Sequence, residues 1–114
     1  MEDQKAIECL SAIAHGTRLK VFRLLVSRGD EGLSSGEIAR VLDTPATTMS
    51  THLGILARAG LIQARRKSRV VNYAVSQDGV RSLLNYLISD CCDGRPDLCA
   101  PSMAVLPSSN VRQT

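Results

Sequence analysis

Residues 44–62, TPATTMSTHLGILARAGLI, and residues 64–75 just beyond, ARRKSRVVNYAV, decide how this chain folds. Thr44 can cap a helix, and Pro45 suits a first helical position. Met49, Leu53 and Leu56 recur at helical spacing, and Gly60 supplies a stop. Leu61–Arg65 and Val70–Val75 then alternate like strands, with Arg66, Lys67 and Ser68 near their turn. The layout is a helix with a small polar face followed by a basic two-stranded hairpin.

Working toward the N-terminus, Ser34 and Glu37 have the spacing of a capping box, and Ile38, Val41 and Leu42 are expected to face inward from the helix they open. A few residues around Asp43 and Thr44 join this helix to the next, which is helix-turn-helix spacing. The second helix of such a pair enters the major groove by its N-terminal residues. Here these are Ala46, Thr47, Thr48, Ser50, Thr51 and His52. Short hydroxyls reach phosphate oxygens and base edges alike, and none of these side chains blocks close approach. Arg65, Arg66, Lys67 and Arg69 add cations to track the DNA backbone, and no acidic residue occurs between Thr44 and Val75.

Two further helices are expected upstream. One spans Asp3–Ala14, with Ala6, Ile7, Leu10, Ile13 and Ala14 near one face. The other is capped by Thr17, with Leu19, Phe22, Leu25 and Val26 at helical spacing. Downstream, residues 80–92, VRSLLNYLISDCC, carry Val80, Leu83, Leu84, Leu87 and Ile88 in the cleanest amphipathic pattern of the chain, ended by Gly94 and Pro96. The fold expected is mainly α: a winged helix-turn-helix of about five helices plus a two-stranded wing.

At 114 residues the chain makes one small domain, residues 1–100, with an aperiodic tail at 101–114. Its three aromatic residues, Phe22, Tyr73 and Tyr86, leave the core to aliphatic side chains. No apolar run approaches the ~18 residues of a membrane span, and no signal peptide opens the chain, so a cytoplasmic protein without a membrane partner is expected. In that reducing compartment its four cysteines are more naturally ligands or core residues than disulfides. An enzyme is not expected: there is no nucleotide-binding glycine pattern, no Cys-x-x-Cys, and no histidine beside the cysteines.

The segments HGTRLKVFRLL (15–25), MSTHLGILARAGLI (49–62) and RRKSRVVNYAV (65–75) resemble the ArsR-type (ArsR/SmtB) winged-helix metalloregulators. The pattern formed by Ser50, His52, Leu53, Leu56, Ala59, Gly60 and Leu61 carries most of the likeness, which covers roughly residues 5–90. The resemblance implies a homodimer that represses an operator in double-stranded DNA and lets go when a metal or metalloid binds. It also implies pairing through the first and last helices, which makes Ile7, Leu10, Leu83, Leu84, Leu87 and Ile88 candidate interface residues, with Cys9 packed among them. The apolar stripe of the last helix independently needs covering, by a twofold mate or by its own domain core.

The family's usual sensor ligands are missing. The matching third-helix segment, GLSSGEIARVL (32–42), lacks cysteine, and the only histidines are His15 and His52. Cys91, Cys92 and Cys99 are the replacement. Soft thiolates select thiophilic ions, and the resemblance points to As(III), with Sb(III) or a two-sulfur methylarsenite as variants. Adjacent cysteines on an intact helix diverge by about 100°, so the helix must end there for the thiols to converge. A zinc-responsive site, needing a fourth ligand such as Asp93 or Asp97, and a thiol-redox switch remain the alternatives.

Overall fold

The computed structural model describes residues 1–91, the last two by their backbone alone. Helices α1 (Asp3–Ile13) and α2 (Gly16–Arg28) lead through a 3-10 turn (Gly29–Glu31) into strand β1 (Leu33–Ser34). Helices α3 (Ser35–Val41) and α4 (Ala46–Arg58) follow, then the hairpin β2 (Ile62–Lys67) and β3 (Val70–Val75). Helix α5 (Gln77–Asn85) continues as a π-helical segment, Tyr86–Cys91.

The expected hairpin forms, and β1 adds a third strand to it, giving an antiparallel sheet in the order β1-β3-β2. Leu33 pairs with Tyr73 and Ser34 with Asn72. Two residues are too short to display the alternation by which strands are recognised. The wing turns at Ser68-Arg69, between the paired Lys67 and Val70, one residue later than the basic triplet suggested. Ser68 takes a φ of 58°, as two-residue hairpins demand of at least one loop position.

Capping chemistry sets the helix ends. Ser34 and Glu37 form the expected reciprocal box, at 3.2 and 2.9 Å. The backbone and hydroxyl bonds from Ser34 hold the Glu37 carboxyl below its ordinary pKa. Helix α2 is capped by His15, whose Nδ1 accepts from the Thr17 N–H, rather than by Thr17 itself. Helix α5 begins earlier than expected because Ser76 Oγ accepts from the Gly79 N–H. Helix α4 closes with paired bonds from the Gly60 N–H to Ala57 and from the Leu61 N–H to Leu56, Gly60 standing at φ 86°. That is a Schellman ending in which glycine avoids the left-handed penalty. Gly79 answers a different need: a side chain there would collide with the Gly60 carbonyl, so α5 can cross the end of α4 only with glycine at this position.

Val21, Leu25, Ile38, Met49, Leu53, Leu56 and Leu61 are wholly buried and form the core between the helices and the sheet root. The stripe expected of α4 is buried in full. Elsewhere the buried faces differ from expectation. Helix α2 buries Val21 and Leu25 and leaves Leu19 and Val26 exposed, and α3 leaves Val41 exposed. Helix α1 buries its small residues, Ala6, Cys9 and Ala12, and turns Ile7 and Leu10 outward. The small face lets α1 approach α4 closely enough for Cys9 Sγ–H to donate to the Ala59 carbonyl at 3.2 Å. Cys9 is therefore a core residue of its own protomer, and burial pushes its thiol pKa up.

Candidate nucleic-acid interface

The turn between α3 and α4 repeats the Schellman geometry without glycine. The Thr44 N–H reaches the Ala39 carbonyl at 2.9 Å and the Asp43 N–H reaches Arg40 at 3.2 Å, with Asp43 at φ 49°. Aspartate is among the few side chains that tolerate this region. Thr44 does not cap α4; its hydroxyl donates back to the Leu42 carbonyl at 3.0 Å, and Pro45 occupies the cap position.

This turn presents the start of α4 to solvent. Ala46, Thr47, Thr48, Ser50 and Thr51 are all exposed, on the side opposite the buried Met49, Leu53 and Leu56. The Thr51 hydroxyl leans on the Thr47 carbonyl at 3.4 Å. Those of Thr48 and Ser50 have no partner among the described residues and are available to an incoming acceptor or donor.

His52 is placed differently from its neighbours. It is half-buried against the junction of α1 and α2, its ring centroid 4.7 Å from that of His15. Its Nδ1 lies 3.4 Å from Arg18 Nη1. Arginine has only protons to give, so Nδ1 accepts and the neutral ring carries its proton on Nε2. Burial, then His15 and Arg18, hold the His52 pKa below its ordinary value. Arg18 is itself anchored, its Nε donating to the Ala12 carbonyl at 2.7 Å. No local pattern singles out Arg18, since its partners lie on other elements.

Beside α4 stands the wing. Arg66, Lys67 and Arg69 are exposed at its tip. Arg65 is half-buried, and its Nη1 donates to the Asp30 carbonyl at 3.0 Å. Three cations and the hydroxyl-bearing end of α4 thus lie on parts of the surface free of carboxylates from their own segments, an arrangement that attracts a polyanion.

Of the candidate pairing residues, Ile7 (58 %), Leu10 (44 %) and Leu84 (50 %) are open to solvent. Leu87 and Ile88 are half-buried, and Leu83 is packed in the core of its own protomer. The Tyr86 hydroxyl donates to the Asp3 carboxylate, tying the π segment to the start of α1. Cys91 closes that segment; Cys92, Cys99, the helix stop at Gly94 and Pro96 and the tail at 101–114 lie outside the described residues. Among the described residues no cluster of three His, Cys, Asp or Glu is placed to hold a metal ion, and no helix is long and apolar enough to cross a membrane.

Residues 13–63 match a helix-turn-helix domain family. The transcriptional activator HlyU of Vibrio cholerae is 32% identical over 83 residues, covering 73% of this chain and 74% of HlyU. The solved structure of HlyU superposes with a TM-score of 0.61 over 81% of this chain and 99% of that one, and a structure of reduced HlyU is similar as well. The biofilm growth-associated repressor of Agrobacterium fabrum is 30% identical over 83 residues, 73% of this chain and 68% of the repressor. Mb0332 of Mycobacterium bovis, a homodimeric winged helix-turn-helix DNA-binding domain described as a possible ArsR-family regulator, is 25% identical. It covers 88% of this chain and 93% of its own, with a TM-score of 0.62.

Proposed function

Because this chain belongs to the ArsR-type family of winged-helix transcriptional regulators, we propose that it is a homodimeric repressor released from its operator by trivalent arsenic. The observation that carries the DNA-binding half is the exposed, hydroxyl-bearing start of α4, a helix that itself holds no carboxylate, together with an exposed basic wing tip. Ala46, Thr47, Thr48, Ser50 and Thr51 enter the major groove while Arg66, Lys67 and Arg69 neutralise flanking phosphates. Two copies, paired through the exposed Ile7, Leu10 and Leu84 and the adjoining Leu87 and Ile88, present two such heads to half-sites about one helical turn apart. That Mb0332 is homodimeric supports a dimer.

The effector half rests on the sequence of Cys91, Cys92 and Cys99 at the end of the pairing helix. Three thiolates fit the pyramidal chemistry of As(III), and Sb(III) or methylarsenite would use the same sulfurs. The change from α to π winding at Tyr86 supports the reading, because π turns are uncommon and concentrate at functional sites. Thiolate capture would reorder the end of a helix that also scaffolds the dimer, tilting the heads out of register. A coupling of about 1–3 kcal/mol suffices for a working switch. The likeness to reduced HlyU favours one second reading, a thiol-redox repressor in which the same cysteines form a disulfide.

The test is a mobility-shift titration on the promoter beside its own gene, with arsenite, antimonite, zinc and peroxide in parallel. Arsenite should release the wild-type protein. Cys91→Ser, Cys92→Ser and Cys99→Ser should still bind DNA and no longer respond. Release of these variants by arsenite would discard the thiol site. Release by peroxide alone, with loss of two hydrogens in mass, would select the redox reading.

A further inference from the structure

Arg65 and Asn72 face each other across the β2–β3 ladder, and both reach past the sheet to consecutive carbonyls of one turn. Arg65 Nη1 donates to the Asp30 oxygen at 3.0 Å and Asn72 Nδ2 to the Glu31 oxygen at 3.2 Å. Gln77 Nε2 adds a bond to the Asp30 carboxylate at 3.4 Å. Just beyond, Gly32 stands at φ 66° against the Tyr73 carbonyl, which a side chain at this position would strike. The turn that leads from α2 into β1 and α3 is thereby seated on the root of the wing.

We propose that Arg65 and Asn72 are positioning residues of the DNA interface, a clamp that fixes the wing's angle to the helix-turn-helix. The inference rests on the DNA-binding reading and gives Arg65 a role distinct from that of its basic neighbours. Arg66, Lys67 and Arg69 are exposed, whereas Arg65 is half-buried with its guanidinium engaged. Asn72 carries no charge, so any part it plays in binding DNA is not phosphate neutralisation. Phosphate contacts hold only within a donor–acceptor reach of about 2.7–3.2 Å. A wing root released from its turn would spread the tip cations of the free protein over positions that mostly miss that window, so fewer molecules stand ready to bind while the bound wing still makes the same phosphate contacts.

The test measures affinity for a duplex from the promoter beside its own gene, across about 50 to 200 mM salt and well below the melting temperature of every variant. Arg65→Ala and Asn72→Ala should each weaken binding by about five- to tenfold, the value of one hydrogen bond, with the salt slope unchanged. The double variant should lose less than the product of the two, since both bonds hold one turn. Arg66→Ala should instead lower the slope by about 0.9, as loss of one phosphate contact does. A slope for Arg65→Ala that falls like that of Arg66→Ala would overturn the proposal. So would wild-type affinity in Asn72→Ala, which decides the matter even if Arg65→Ala does not fold. Wild-type protein that ignored the duplex would overturn the DNA-binding reading and the clamp with it. Wild-type binding with Asn72→Ala unaffected would overturn the clamp alone.

Discussion

His52 shows how a residue legible as a DNA reader can serve the scaffold. It lies on the reading helix, yet its ring packs toward His15 and accepts from Arg18. Its folded pKa is depressed, so the neutral form is the one the fold prefers. Above the unfolded value, near 6.5, this costs no stability. As pH falls below that value the unfolded chain takes the proton first, so stability declines until the depressed folded pKa is passed. Denaturant melts at several pH values should therefore show a steeper loss between neutral and mildly acid pH in the wild type than in His52→Gln. Equal slopes would remove His52 from the account. At Gly79 the constraint is steric. Gly79→Ala should destabilise by about 1–3 kcal/mol, read from thermal or denaturant melts, because a methyl group must displace the Gly60 carbonyl.

Individual elements were legible where a signal is local. The Ser34–Glu37 box needs four consecutive residues and nothing else, and it forms as expected. Ser34→Ala should cost about 1 kcal/mol, lowering Tm by about 4–8 °C for a domain of this size. In α4 the buried stripe and the exposed hydroxyls follow from one periodicity, so the solvent-facing side could be named in advance, with His52 the exception. Thr48→Ala and Ser50→Ala should weaken operator binding while leaving thermal stability within about 0.5 kcal/mol, because neither hydroxyl has a partner among the described residues. A stability loss matching the affinity loss would mean they serve the fold. Strand β1 was not legible, because its pairing with β3 joins residues nearly forty positions apart and leaves no mark on a two-residue segment.

At the scale of the molecule, the apolar residues divide between a core and a face left open. Leu83 lies within the core, while Ile7, Leu10 and Leu84 remain in solvent. Pairing two copies over that face would remove them from water, each large side chain contributing about 1.5–3 kcal/mol when fully buried. Ile7→Glu and Leu84→Glu should each yield a monomer in sedimentation and abolish tight operator binding without unfolding the domain. A dimer that survives both changes would place the interface elsewhere. The buried faces of α1 and α2 differ from those expected because both helices carry apolar residues around more than one side. Periodicity then offers several stripes, and only the partner selects among them.

Local chemistry along the chain determined the helix-turn-helix, the Ser34 cap, the Gly60 stop, the exposed hydroxyls of α4 and the basic wing, since each depends on residues a few positions apart. Tertiary structure alone decided which stripe of α1 faces the core, that Cys9 belongs there, that His52 turns inward toward Arg18, and that Arg65 holds the turn at Asp30. Those outcomes depend on the shape and donors of surfaces distant in sequence, and no spacing within a single segment encodes the partner across the gap.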